Sequence, residues 1–115
     1  MEHRASVLEV KEFPGVLNAP MARLFLGEVQ SYLNDDRPRI VLDCSKIGQM
    51  DRPSIQLLLS CLEEAIKRNG DVKLAAVPAA AKASLKLAGV DRLFEIYDTN
   101  AEAISSFRRL SINSA

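Results

Sequence analysis

The apolar and polar positions change period along the chain, and each change marks an element. Ser6 to Val10, with an extension toward Phe13, is rich in Val and Leu and reads as a strand, broken by Pro14-Gly15. Val16-Leu17 reads as a short extension before Asn18. A helix then begins near Pro20, with Asn18 as its cap and Pro tolerated in the first turn. Met21, Leu24, Phe25, Val29, Tyr32 and Leu33 fall on one helical face, and Asn34 to Pro38 ends it.

Arg39 to Cys44 holds the unbroken run Ile40-Val41-Leu42, the pattern of a strand covered on both faces. A loop from Ser45 to Met50 leads into a second helix, starting at Asp51 to Pro53 and stopping near Asn69-Gly70. Ile55, Leu58, Leu59, Leu62 and Ile66 form one stripe on it, and Leu57, Cys61 and Ala65 form a second beside it, which predicts a wide buried face. Asp71 to Val77 reads as the next strand. Pro78 opens a third helix, with Leu85, Leu87 and Ala88 late in it and Gly89 as its stop. Leu93 to Tyr97 reads as a last short strand. Thr99 and Glu102 have capping-box spacing before a final helix with Ile104, Phe107 and Leu110.

Strand and helix alternate four times, which predicts an α/β domain. Its central sheet is expected to be mostly parallel (mixed), with about four to five strands and about four helices. The 115 residues suit a single domain over 1–115, with a core over about 7–107 and frayed termini. Ligands and partners of such sheets meet the loops at the strand carboxyl ends. Here those are Asp43 to Asp51, Val77-Pro78 and Tyr97 to Thr99.

Fifteen Lys and Arg balance fifteen Asp and Glu, so the whole molecule exerts no pull on nucleic acid or anionic lipid, although a local basic patch is compatible with this. Membrane insertion is not expected, since no apolar run approaches a bilayer span. The amino-terminal residues lack the apolar core of a signal peptide, and the two cysteines, Cys44 and Cys61, lie far apart without a CxxC. Both features predict a cytoplasmic protein with reduced, buried thiols. The single histidine, His3, excludes a His-based zinc site, a Ser-His-Asp triad and a Cys-His pair. No GxGxxG follows the first strand and no P-loop is present. The pattern therefore predicts no catalysis, no metal and no cofactor. Asp43 and Asp51 read as a strand-end and a helix-start residue in preference to an acid pair. Arg4, Arg37 and Arg39 read as a solvated rim.

The run from Arg39 through Asp43, Met50 and Asp51 into the Leu57-Leu58-Leu59 helix, then Gly70 to Leu74, resembles the STAS domain, the family of bacterial anti-sigma factor antagonists also found in sulfate transporters. Pro78 to Phe94 looks like the family's third helix and its glycine-containing exit, and Asn18 to Ala22 like the approach to its first helix. The resemblance covers roughly residues 7–107. It implies a regulatory protein-binding module for signal transduction and transcription control. The implied partner is an anti-sigma factor with a serine-kinase fold, and a homodimer is compatible with it. Single STAS domains also serve lipid-transport ABC systems. A small-ligand or nucleotide-binding α/β domain is the alternative of another class.

The resemblance places partner docking on Gly48, Gln49, Met50, Asp51, Arg52, Pro53 and Ser54. The family pattern here is Asp-Ser-Ser/Thr-Gly, with the first Ser phosphorylated. In this chain Asp51 matches, but Arg52 stands at the acceptor position, Pro53 follows, and Ser54 stands where the family has Gly. Ser54 is the candidate acceptor left in the segment, two residues out of register, and helical rotation of about 100° per residue turns it away from the Arg52 direction. No phosphorylation at the usual position is expected.

Overall fold

The computed structural model of the chain describes residues 8–33 and 37–113, with side chains through Arg108. Four strands, β1 (Leu8–Glu12), β2 (Arg39–Asp43), β3 (Asp71–Ala75) and β4 (Ile96–Tyr97), alternate with four helices. The helices are α1 (Ala19–Leu33), α2 (Arg52–Lys67), α3 (Ala79–Leu87) and α4 (Asn100–Asn113), and a 3-10 turn covers Asp91–Leu93. The strands lie in the order β1-β2-β3-β4, and every pair is parallel, so the sheet expected to be mixed is parallel throughout the described residues.

Alternation in the central strands explains the layers. Ile40 and Leu42 of β2, and Val72 and Leu74 of β3, join Phe25, Val29 and Leu33 of α1, Leu58, Cys61 and Leu62 of α2, and Leu85 of α3 in the main core. Val41 and Ala75 point the other way, onto Ala103 and Phe107 of α4. Lys73 shares that second face at 1% exposure. Its ammonium donates to Ser106 Oγ at 2.7 Å, meets Glu95 at 3.0 Å and lies 4.2 Å from the Phe107 ring centroid. A buried charge with these partners ties α4 and β4 to the middle of the sheet.

Several boundaries and faces differ from the sequence expectation. Gly15-Val16 forms a bend and Leu17 is irregular, so the expected extension at Val16-Leu17 is not a strand. The stretch from Leu93 to Tyr97 splits into the end of the 3-10 turn and the two-residue β4. The main-core stripe of α2 runs through Leu57, Leu58, Cys61, Leu62 and Ala65, whereas Ile66 is 58% exposed. On α1, Met21 and Leu24 face solvent and Ala22 and Leu26 pack toward the core. Leu87 ends α3 in solvent, and Gly89 stops it at φ +75°, a conformation open to glycine. The expected start of β1 at Ser6, the end of α1 at 34–36, Arg4, and the tail side chains including Leu110 lie outside the described residues and side chains.

Candidate partner-docking site

The segment between β2 and α2 is held from below at two points. Ile47 and Met50 are buried, at 3% and 4% exposure, while Gly48 and Gln49 between them face solvent. The Ile47 N–H donates to the Cys44 carbonyl at 3.1 Å, which tightens the turn. Gly15 lies against it. A Cβ at Gly15 would stand 2.5 Å from the Lys46 carbonyl oxygen, so only glycine lets the two loops approach this closely.

Asp51 caps α2. Its backbone is extended (φ −93°, ψ −179°), and its Oδ1 accepts the Ser54 N–H at 3.1 Å. Hydrogen bonds from the Ser54 hydroxyl and backbone hold the Asp51 carboxyl below its ordinary range. Arg52 and Pro53 follow in the first turn, both exposed, and among the described residues Arg52 makes no ion pair. Ser54 lies beneath them at 7% exposure. Of the seven residues from Gly48 to Ser54, five present side chains or backbone to solvent, and Met50 and Ser54 are buried.

Asp43 and Asp51 have separate tasks. Asp43 Oδ1 accepts the Ser45 N–H at 3.0 Å, and Oδ2 accepts from Asn100 Nδ2 at 3.1 Å, joining the end of β2 to the start of α4. Partial burial alone would raise its pKa, but these bonds outweigh it and hold the carboxyl low. Among the described residues no group of three His, Cys, Asp or Glu side chains could hold a metal, and no helix is long and apolar enough to cross a membrane. Arg39 is not part of a free rim: its guanidinium reaches the Phe107 carbonyl at 3.4 Å and lies 5.9 Å from that ring's centroid.

Two grooves flank the outward ridge of α2. One, of about 370 Å³, lies toward α1 and is lined by Leu17, Ala22, Pro53, Gln56, Leu57 and Ser60. The other, of about 490 Å³, lies toward the 3-10 turn and is lined by Gln56, Leu59, Ser60, Leu62, Ile66 and Leu93. Gln56 and Ser60 border both. The sequence did not single out these two, because polar residues on an exposed helical face carry no signal until the neighbouring elements are placed.

A family model described as Mlab, STAS domain, matches residues 2–96. The chain belongs to the STAS domain family. Solved STAS structures share its fold. An anti-sigma-factor antagonist (STAS) domain protein from Planctomyces limnophilus superposes with a TM-score of 0.73 at 17% identity, covering 84% of this chain and 87% of its own. The STAS domain of a SulP transporter from Vibrio cholerae gives 0.70 at 19% identity, over 94% of this chain and 85% of its own. A Thermotoga maritima protein assigned as an anti-sigma factor antagonist gives 0.67 at 23% identity, over 87% of this chain and 81% of its own. Comparison with curated proteins gives no match. Within this STAS domain, Asp51 to Ser54 form the junction of loop and helix, with the cation outward and the hydroxyl inward.

Proposed function

We propose that this STAS domain is a non-catalytic regulatory module that docks to a protein partner through Gly48, Gln49, Arg52, Pro53 and the outward ridge of α2. Met50 and Ser54 shape that surface from beneath, and exposed Asp51 caps the helix within it. The partner implied by the family resemblance is an anti-sigma factor with a serine-kinase fold. The observation that carries the reading is an exposed Arg52, without an ion pair among the described residues, next to a buried, cap-bonded Ser54 at one helix start. A phosphate on Ser54 would break the Asp51 cap and bring roughly −1.5 to −2 charges against that carboxylate. Docking is therefore constitutive, and an acidic partner group answers Arg52. Among the described residues the strand order also runs in one direction without reversal, which favours docking over a small-ligand crevice at a switch point.

The absence of an acceptor in register equally supports a second reading, a stably bound STAS subunit of a lipid-transport ABC system, which needs no release step. Affinity capture with the tagged chain, with and without ATP, tests both. A captured kinase-fold protein or transporter ATPase, retained in ATP and lost with Arg52→Glu, supports docking at this site and says which reading holds. Capture unchanged by Arg52→Glu, or released by ATP, opposes it.

A further inference from the structure

We propose that the outward face of α3 and the adjoining 3-10 turn form a contact surface for the anionic face of a lipid bilayer. Helix α3 buries Ala81 and Leu85 and turns Ala79, Ala80, Lys82, Ala83, Lys86 and Leu87 to solvent. Ala79, Ala83 and Leu87 follow at four-residue steps and make one apolar row, and Lys82 and Lys86 make a basic row beside it. Leu87 is 90% exposed, more than any other large apolar residue described.

The charges around this face are uncompensated. From Pro78 to Val90 the chain has no carboxylate. Elsewhere Lys11, Lys46, Lys67, Arg68 and Lys73 each meet one, although Arg23 and Arg52 meet none among the described residues. Among the described residues Lys82, Lys86 and Arg92 meet none, although Asp91 adjoins Arg92 in the turn and Glu63 borders the nearby groove. A molecule with zero formal net charge thus presents two lysines, without an ion pair among the described residues, beside its most exposed leucine, and a third cation, Arg92, in the adjoining turn.

The shape favours a bilayer over a protein. The face is a row of small side chains with one exposed leucine, and the two apolar grooves able to seat a protein partner lie beside α2. A planar anionic surface accepts lysines in any rotamer and takes a single leucine at headgroup depth. Such binding is weak, reversible and sensitive to salt, and it involves no spanning segment.

The chain has no tryptophan, so Leu87→Trp supplies a single reporter at the proposed contact. Vesicles of phosphatidylglycerol and phosphatidylcholine should shift its emission to the blue and sediment the protein, and pure phosphatidylcholine should do neither. In the wild-type background, Lys82→Glu/Lys86→Glu should lower partitioning at least tenfold, at roughly fivefold per cation removed near the surface. Leu87→Ser should lower it severalfold, and Arg52→Glu should leave it unchanged, which separates this surface from the docking site. All four positions are exposed, and far-UV circular dichroism checks that the variants fold. No binding to the anionic vesicles overturns the proposal. So does binding that falls with lysine reversal but ignores Leu87→Ser and leaves the tryptophan emission unshifted, since that pattern belongs to a soluble polyanion or an acidic protein.

Discussion

Asp51 and Ser54 are locked together at the start of α2: the Asp51 carboxylate accepts the Ser54 N–H at 3.1 Å, and the serine is 7% exposed. The cap stabilises the helix by satisfying one of its free N–H groups. Asp51→Ala should cost about 1 kcal/mol in urea unfolding, and Asp51→Asn, whose amide oxygen still accepts, should cost a few tenths. Equal losses for the two variants would mean that the carboxylate charge, not the cap, stabilises the helix start.

The buried stripe of α2 separates Leu58 from Ile66. Leu58 is 0% exposed and Ile66 58%. Leu58→Ala should cost about 2–5 kcal/mol, and Ile66→Ala under about 1 kcal/mol, because only the first leaves a cavity. Similar losses at both would place Ile66 inside the core.

Most of the architecture was legible in the sequence because local signals agreed with each other. Pro and Gly punctuation, the Ile40-Val41-Leu42 run, and the caps at Asn18, Asp51 and Thr99 each correspond to an observed boundary. Helical periodicity placed stripes only to within about one residue per turn, so Met21, Leu24 and Ile66 were expected inside and Ala22 and Ser54 were not. An alanine or a serine gives no hydropathy signal, and its burial follows from the neighbour it meets. The role of Lys73 was illegible for the opposite reason. A lysine in a strand reads as solvated until α4 supplies Ser106 and Phe107 to hold it.

Acid should unfold the protein partly through Glu95. Its hydrogen bonds with Lys73 and Tyr97 hold its pKa below the ordinary value of 4.5. A lowered folded-state pKa means that the contribution is present above pH 4.5 and is lost as pH falls through the folded value. Asp43 and Asp51 act in the same direction from 3.8, whereas burial raises Asp71, which opposes them. Glu95 is 58% exposed, so solvent screens its pairing with Lys73, and Glu95→Gln should lower stability at pH 7 by only roughly a few tenths of a kcal/mol and slightly flatten the fall between about pH 5 and 3. An unchanged acid slope would show that Glu95 does not couple to folding.

Both thiols should be inert in the folded protein. Burial pushes Cys44 and Cys61 up to about 12, so neither is a thiolate near neutral pH. A disulfide-exchange reagent at pH 8 should label neither in the native state and both in denaturant. Rapid native labelling of either would contradict the packing around it.

Ala76 leaves β3 at φ +57°, where a Cβ is unfavourable. Ala76→Gly should raise stability by roughly 0.5–1 kcal/mol, whereas Ala75→Gly, one residue earlier in the strand, should lower it. Thermal unfolding of the two variants decides whether this turn stores strain.

On the proposed reading, the start of α2 is a constitutive docking surface with no phosphorylation switch. Incubation of the chain with its captured partner and ATP, followed by intact-mass and peptide mapping, tests it most directly. The segment from Gly48 to Ser54 should remain unmodified and the complex should survive ATP. A stoichiometric phosphate on Ser54 that releases the partner, abolished by Ser54→Ala, would contradict it.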